Sequence, residues 1–379
     1  MAGARDGAFR ELVSPFLRAK ISETKDLYGA ASDEVHALER QYLAMPEEAL
    51  IGSADRRRHY EAEVELTFDG LPVVGVERLY RRTILLEPTT VCAAHCRWCL
   101  RGQYPIRTMT RAEIDHAARY IGSATVAADV DEVLITGGDP LMSIPLLEHT
   151  ILALRKFAPN IRTVRIGSRV PFQDPDRVND TMLEMFSRFD DLRFELGVNV
   201  NHPVEFWPES VAAIERLQRI GFRIYNQHPL LQGVNDDLPT LERHYDLMRR
   251  YGIEAHYLFH AIPLRGMAHH RTTLAKGLEL ATALSSGGNF SGRAKPRFAV
   301  LSDIGKIVLY EGVIADRRES EDLVLLRSGF RLDERLRWSP GWTMPESVEL
   351  DSDGTMLTWY RDAAPLAAAQ LRAIVGAAE

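Results

Sequence analysis

Three cysteines, Cys92, Cys96 and Cys99, are the only ones in the 379 residues and stand together as CAAHCRWC. Three thiolates can hold three irons of a 4Fe-4S cluster and leave the fourth iron open, whereas a cluster that only transfers electrons usually has four cysteine ligands. The spacing therefore predicts a cluster that binds a further molecule. The alternative is a zinc site of three cysteines with His95 or a distant histidine. An odd count and tight spacing disfavour a disulfide.

A second polar segment, Gly137-Gly138-Asp139-Pro140, follows a predicted strand just as the cysteines follow the strand TILLEP. In barrels of parallel strands, functional groups collect in the loops at the carboxyl ends of the strands. Two glycines let a ligand approach the backbone closely, and a carboxylate can accept from an ammonium group. Alone, this motif is also typical of a tight connection between a strand and a helix. One unit after the cysteine loop, it predicts a cofactor site.

Alternating strand and helix patterns begin near residue 80 and indicate how these loops are positioned. The candidate strands are Thr83 to Glu87, Glu132 to Thr136, Thr163 to Gly167, Phe194 to Val200, Phe222 to Tyr225 and Ala255 to Phe259. Such alternation predicts a parallel sheet with right-handed crossovers, and six units suit an α/β fold of the partial (βα)6 TIM-type barrel. We predict an N-terminal helical leader over 1–75, the core over 76–318, and a C-terminal extension over 319–379 with a β-hairpin and a helix.

Composition excludes several classes of function. A net charge of −7 and a pI near 6.0 do not support nucleic-acid binding. The first 25 residues lack the apolar core of a signal peptide, and no stretch approaches the roughly 20 apolar residues that cross a bilayer. Free thiols and an oxygen-sensitive cluster then predict a reducing cytoplasm.

Taken together, these motifs resemble those of the radical S-adenosylmethionine (SAM) superfamily. Over about residues 70 to 315 the chain further resembles lysine 2,3-aminomutase and its relatives, in CRWCLRGQYP, TGGDPL, VRIGSRVP, NHP, NQHPLLQGVND and RTTLAKG. Those enzymes pair SAM with pyridoxal phosphate (PLP). The resemblance implies that SAM chelates the open iron, with Gly137, Gly138 and Asp139 near its ammonium group. Reductive cleavage, with a donor such as flavodoxin or ferredoxin, would yield a 5′-deoxyadenosyl radical that abstracts hydrogen from a small substrate.

Several residues are candidates for the cavity beside this cofactor. Arg101 matches the family arginine that pairs with the substrate carboxylate, a task that suits a guanidinium fork; a surface arginine is the alternative. By position we expect Ser168, Arg169 and Gln227 to line the SAM site and Asn199 and Asp303 the substrate site, with Asn226 beside Gln227. For each, a polar residue that caps a strand is the alternative. His202 is interpreted as a loop-holding residue.

The chain departs from the family where the PLP-binding lysine is expected. The segment PRFAVLSDIGKIVLYEGVI, from Pro296 to Ile314, aligns with family sequence beyond that lysine, so Lys306 is interpreted as a turn residue. Thr83 stands at the position of a family arginine for the PLP phosphate. Ile262 replaces the acidic residue that reads a lysine side chain, so lysine is not the expected substrate.

Two further sets of polar residues are left open. Asp236, Asp237 and Asp303 could serve a cationic substrate, although solvated loop carboxylates are the simpler interpretation. His256, His260, His269 and His270 could form a metal site or line the cavity with polar groups. On a strand, the even separation of His256 and His260 puts both on one face.

The sequence thus predicts a radical SAM enzyme that acts on a free amino acid or similar carboxylate-bearing molecule. We expect an outcome without PLP, such as dehydrogenation or rearrangement of the carbon chain. The alternatives are a PLP-dependent 2,3-aminomutase that uses Lys306 and, in a different class, a zinc-stabilised barrel that binds a ligand. Neither a nucleic acid nor a membrane is an expected partner, and formation of a homo-oligomer is left open.

Overall fold

The centre of the computed structural model is one curled nine-stranded sheet. The structure describes residues 9–49, 65–102, 105–310 and 312–362. The strands are β1 Thr67–Phe68, β2 Leu71–Pro72, β3 Val76–Glu77, β4 Thr83–Thr89, β5 Glu132–Gly137, β6 Thr163–Gly167, β7 Arg193–Val198, β8 Arg223–Leu230, β9 Glu254–His260, β10 Arg297–Ser302, β11 Gly305–Val308, β12 Ile314–Arg318, β13 Leu323–Arg331, β14 Val348–Leu350 and β15 Thr355–Arg361. The helices are α1 Pro15–Tyr28, α2 Asp33–Tyr42, α3 Arg111–Ile121, α4 Ala124–Ala127, α5 Ile144–Phe157, α6 Val170–Gln173, α7 Asp180–Ser187, α8 Pro208–Arg219, α9 Leu238–Arg250, α10 Leu274–Ser286 and α11 Leu332–Trp338.

The sheet runs in chain order from β3 to β11. Strands β4 to β10 are parallel, while β3 is antiparallel to β4 and β11 is antiparallel to β10. This confirms the predicted α/β class and the partial barrel. The seventh parallel strand, β10, and its hairpin partner β11 extend the barrel beyond the six predicted units.

Local signals explain where the helices begin. Thr110 caps α3 and exchanges hydrogen bonds with Glu113, so that the predicted capping box is present. Pro208 opens α8, where its fixed φ and missing N–H are harmless. Gly221, with a φ of +96°, follows that helix in a conformation that side chains other than glycine rarely adopt.

Alternation along the strands separates two environments. Ile84 and Leu86 on β4, and Val133 and Ile135 on β5, belong to the core between sheet and helices. Their neighbours Leu85 and Leu134 instead pack together on the inner face of the sheet, with Leu79 and Tyr80. Side chains at alternate positions therefore line the barrel interior.

The two ends of the described chain pack against this barrel. Leu17, Leu38 and Tyr42 of α1 and α2 form an apolar cluster with Ala94, inside the cysteine loop. At the other end, β12 to β15 form an antiparallel sheet in the order β12-β13-β15-β14, with β14 and β15 joined as a hairpin. The predicted C-terminal helix lies outside the described residues, and the division into leader, core and extension stays a prediction. No described helix has the length and apolarity that a membrane span requires.

Candidate active site

The three cysteines lie in the loop that follows β4. The Cys99 N–H donates to the Cys96 carbonyl at 3.1 Å, and the Gly102 N–H donates to the Cys99 carbonyl at 3.0 Å, so the loop turns tightly twice. All three are free thiols and partly buried. Burial, and then the neighbouring Cys96 charge, raises the pKa of Cys99 to about 11, and burial also raises the pKa of Cys92. Thiols as enclosed as Cys92 and Cys99 favour deprotonation only when a metal centre compensates their charge.

Residues near the N-terminal end of the described chain hold this loop in place through Arg97. The fully buried Arg97 guanidinium donates to the carbonyl of Phe9 at 2.7 Å and of Arg10 at 3.2 Å, and it pairs with Glu48. Beside it, the ring of His95 stacks on Phe9, and its Nδ1 lies 2.7 Å from the Arg10 carbonyl. His95 is therefore engaged with the leader.

The two glycines of the GGD segment are required by close backbone packing. Gly137 has a φ of +111°, and a Cβ there would lie 2.4 Å from the Thr89 carbonyl oxygen. A Cβ on Gly138 would lie 2.4 Å from the Val91 carbonyl oxygen, just before Cys92. The N–H of Gly138 donates to Thr89 at 2.7 Å. The sequence interpretation explained these glycines by the approach of a ligand; in the structure they also seat the segment against the cysteine loop.

The Asp139 carboxylate accepts hydrogen bonds from several neighbouring protein groups. One oxygen of its buried carboxylate accepts from the Leu141 N–H at 3.0 Å, and the other accepts from the N–H groups of Arg169 at 2.8 Å and Val170 at 3.1 Å. The Ser168 hydroxyl lies within 2.9 Å of both oxygens. Burial raises the pKa of Asp139, and these donors oppose the rise. The carboxylate therefore fixes the loop after β6, a role that the sequence interpretation did not include. Its expected position near the SAM ammonium group stays a prediction.

Arg169 connects the cysteine loop to a buried carboxylate. Its guanidinium donates to Cys96 Sγ at 3.0 Å and to Glu205 Oε1 at 2.7 Å. Although burial alone would lower the pKa of Arg169, the charges of Cys96, Tyr42 and Glu205 raise it. Glu205 is itself fully buried and accepts from the hydroxyl of Tyr42 at 2.9 Å. His202 caps the adjoining turn with its side chain, as predicted for a loop-holding residue.

Arg101 lies between two carboxylates that the sequence interpretation missed. Its guanidinium is 3.2 Å from Glu77 Oε2 on β3 and pairs closely with Glu87 on β4, and all three side chains are largely buried. Burial raises the pKa of Glu87 to about 7, and the Arg101 charge opposes the rise. Alternation along TILLEP, which turns Glu87 to the same face as Leu85, is the one sequence signal for this group.

A second charged group occupies the barrel interior. Arg165 on β6 donates to Glu132 Oε1 at 2.7 Å and to the Tyr225 hydroxyl at 2.6 Å, and it lies 3.5 Å from Glu195 Oε2. These residues come from four neighbouring strands, β5 to β8. The interior therefore pairs each of these two arginines, Arg101 and Arg165, with two carboxylates.

Lys306 is not in a turn, which corrects the sequence interpretation. It lies on β11 opposite Leu301, and its Nζ is 5.1 Å from the ring centroid of Tyr257 and 5.2 Å from that of Phe259. Within the described residues, Nζ makes no hydrogen bond or ion pair. Burial, and then the charge of Arg165, lowers the pKa of Lys306 to about 7. A residue expected in a turn thus presents an amine to the barrel interior.

Asn199 and Gln227 carry unsatisfied acceptors. Asn199 Oδ1 and Gln227 Oε1 are buried and accept no hydrogen bond within the described residues. Gln227 pairs in register with Tyr257, one of the rings beside Lys306. Asn226 differs from expectation, because β8 continues to Leu230 and turns its amide toward His244, at 3.1 Å. Only Gln227 of this pair is suited to the cavity.

Three candidate aspartates are held by other contacts. Asp303 lies in the turn between β10 and β11 and accepts from the Ser347 hydroxyl at 2.6 Å. Asp236 pairs with Lys276 at 2.5 Å, and Asp237 caps α9. Among the described residues, the hydrogen-bond partner of Asp303 is Ser347, which lies before β14, rather than Arg101 or Lys306.

The four histidines do not form one cluster. A β-bulge at His256 breaks the alternation on β9, so His256 packs on the inner Tyr225 while His260 bonds to Thr272 and Tyr360. The expectation of a shared face was wrong for this reason. Among the described residues, no three His, Cys, Asp or Glu side chains are arranged around one metal ion. A 4Fe-4S cluster distributes its thiolates over different irons and does not need such an arrangement.

Comparison with known proteins defines the class. The Radical SAM superfamily model matches residues 86–245. A putative L-lysine 2,3-aminomutase of Aquifex aeolicus is 33% identical over 255 residues, which cover 65% of this chain and 66% of that protein. For L-lysine 2,3-aminomutase of Acetoanaerobium sticklandii the identity is 34%, covering 60% and 54%. For glutamate 2,3-aminomutase of Clostridioides difficile it is 29%, covering 60% and 53%.

These matches support a radical SAM, lysine 2,3-aminomutase-like family for this chain. The chain spans about half to two thirds of the length of those relatives. This family implies a 4Fe-4S cluster and SAM, and the structure fits both. Three thiols from a single loop supply the cluster ligands, and the GGD segment packs directly against that loop. Of the two metal sites considered from the sequence, the family favours the cluster over zinc.

Proposed function

We propose that this chain cleaves SAM to a 5′-deoxyadenosyl radical and uses it to abstract hydrogen from a small, amino-acid-like substrate inside the barrel, without PLP. The packing of the GGD segment on the cysteine loop carries the proposal, because it joins the two cofactor-binding elements at the carboxyl ends of β4 and β5. Arg101 follows the cysteine loop directly, and its carboxylate partners lie on β3 and β4. A reductant of the flavodoxin or ferredoxin type and a cytoplasmic location belong to the same proposal.

Arg101 is the proposed partner of the substrate carboxylate. It stands two residues after Cys99, and Glu77 and Glu87 hold its guanidinium in place. A carboxylate that binds this fork would place the substrate beside the cluster loop. The unsatisfied oxygens of Asn199 and Gln227 would accept from the substrate ammonium group.

The surroundings of Lys306 support a reaction without PLP. A PLP phosphate needs an available cation or a cluster of N–H donors. The two arginines whose charges act on Lys306, Arg165 and Arg101, are both paired with carboxylates. Thr83, at the position of a family arginine, adds no charge. Within the described residues, the cations nearest to the amine therefore already have carboxylate partners.

Anaerobic incubation with a panel of amino acids tests this function. We expect one class of substrate to stimulate 5′-deoxyadenosine formation and to transfer deuterium from carbon into it. In Arg101→Lys, the KM for that substrate should rise about 10- to 100-fold, because a charge-assisted hydrogen bond contributes about 1.5–3 kcal/mol. Asp237→Asn, at the cap of α9, is the control. The proposal would be contradicted if no carboxylate-bearing compound transferred deuterium, or if the KM were unchanged in Arg101→Lys.

A PLP-dependent aminomutase that uses Lys306 is the second candidate. The observation in its favour is the enclosed amine beside Tyr257 and Phe259, whose lowered pKa of about 7 leaves much of it uncharged at neutral pH. We expect protein incubated with PLP and then reduced with borohydride to carry no pyridoxyl group on Lys306 by peptide mass spectrometry. Lys306→Arg is the control. A stoichiometric adduct on Lys306 that is absent from this control would establish the second candidate.

A further inference from the structure

We propose that Arg169 and Gln173 raise the reduction potential of the cluster through the sulfur of Cys96, and that Glu205 limits this effect. Arg169 Nη1 donates to Cys96 Sγ at 3.0 Å, and Gln173 Nε2 donates to the same sulfur at 3.4 Å. In the described chain, Cys92 and Cys99 receive no side-chain donor. This inference concerns the cluster alone and does not depend on which substrate the barrel takes.

The guanidinium of Arg169 is fixed in its position. Glu205 Oε1 accepts from it at 2.7 Å and Gln41 Oε1 at 3.3 Å. The rings of Tyr42 and Trp98 flank it, with their centroids 5.1 Å and 5.3 Å from the guanidinium carbon. Arg169 is 7% exposed and Gln173 is 2% exposed, so water has little access to these donors. A donor held in this way keeps its bond to sulfur in both oxidation states.

Electrostatics gives the direction of the effect. A reduced cluster carries one more negative charge than the oxidised cluster, and N–H donors to its sulfurs stabilise that charge. A cation donates more strongly than an amide, and a low-dielectric site strengthens both. Arg169 should therefore have a larger effect than Gln173, and both should make the potential more positive.

Glu205 opposes Arg169 because it compensates the guanidinium charge. Its buried carboxylate also accepts from the N–H groups of Asn201 at 2.8 Å and His202 at 3.0 Å. Without that negative charge, the cation beside Cys96 would be uncompensated. Neutralising Glu205 should therefore raise the potential, whereas removing Arg169 should lower it.

Redox titration of the full chain, reconstituted anaerobically with iron and sulfide and followed by electron paramagnetic resonance, tests these signs without substrate. In Arg169→Met, the ratio of reduced to oxidised cluster at a fixed applied potential should fall about tenfold. This fall corresponds to a shift of the midpoint potential by ~59 mV to more negative values for a one-electron couple. Gln173→Leu should shift the midpoint less and in the same direction. Glu205→Gln should shift it to more positive values. Arg169→Lys, which restores the charge, should recover part of the loss.

Arg335→Met is the matched control, because it removes a buried arginine that lies between Trp338 and Trp342, on the C-terminal side of the fold. Its midpoint should equal that of the unaltered chain. If Arg169→Met does not hold a cluster, the other two variants test the inference, because the midpoint potential should shift in opposite directions in Gln173→Leu and Glu205→Gln. Unchanged midpoints, or shifts of the same sign in Arg169→Met and Glu205→Gln, would overturn the inference. Failure of every substrate in the amino-acid panel would leave these potentials unaffected.

Discussion

Replacing Cys92, Cys96 or Cys99 with alanine is expected to abolish 5′-deoxyadenosine formation and to remove most of the protein-bound iron. The three thiols come from one loop, and the chain has no fourth cysteine that could substitute for a missing ligand. Removing one ligand leaves two protein contacts for the cluster and opens a second iron to water. Iron and sulfide analysis after anaerobic purification, together with chromatographic detection of 5′-deoxyadenosine, measures both effects.

His95→Gln is the control for the cysteine series. The His95 ring is engaged with Phe9 and the Arg10 carbonyl, so its replacement should leave iron, sulfide and 5′-deoxyadenosine formation near their original levels. In a zinc site of three cysteines and this histidine, the same variant would lose its metal. Zinc in the purified chain, or deoxyadenosine formation that survives in a cysteine variant, would contradict the cluster assignment.

Replacing Asp139 with alanine is expected to lower the free energy of unfolding by about 3–5 kcal/mol, because it strands donors that the carboxylate now satisfies. The N–H groups of Leu141, Arg169 and Val170 and the Ser168 hydroxyl would lose their acceptor in a buried site. Urea unfolding of the cluster-free protein, followed by circular dichroism, measures this change. The effect should appear before any ligand binds.

Asp237→Ala provides the comparison for Asp139. Asp237 caps α9 and accepts from the Thr240 N–H at 2.9 Å, and loss of such a cap costs about 1 kcal/mol. Both substitutions remove a carboxylate, but only Asp139 is surrounded by several buried donors. If the free energy of unfolding falls equally in the two variants, the hydrogen bonds to Asp139 do not stabilise the protein as its contacts indicate.

The fold could be predicted because its signals are local. Alternation on the strands, the capping box at Thr110 and the turn at Gly221 each act within a few residues. The cysteine and GGD segments were predictable for the same reason: each is a short motif after a strand. Their mutual packing through Thr89 and Val91 was not, because it depends on the register of β4 and β5.

Side-chain partners within the barrel were less predictable. Arg101 was singled out because it matches a family arginine. Its partner Glu77 lies 24 residues earlier and reaches it only because β3 folds back on β4. Lys306 was interpreted as a turn residue because its segment aligns with family sequence beyond the PLP-binding lysine. The turn between β10 and β11 consists of Asp303 and Ile304, so Lys306 lies on β11 and its amine faces inward. Such contacts follow from strand pairing, which a single sequence does not reveal.

The contacts of Arg97 with Phe9, Arg10 and Glu48 have a consequence for how the chain folds. Phe9 and Arg10 lie 88 and 87 residues before Arg97 in the sequence, and Glu48 lies 49 residues before it. Contacts this distant in sequence form late, because closing the intervening loop costs entropy. The cysteine loop therefore acquires these contacts of Arg97 late in folding, after its own local turns at Cys99 and Gly102.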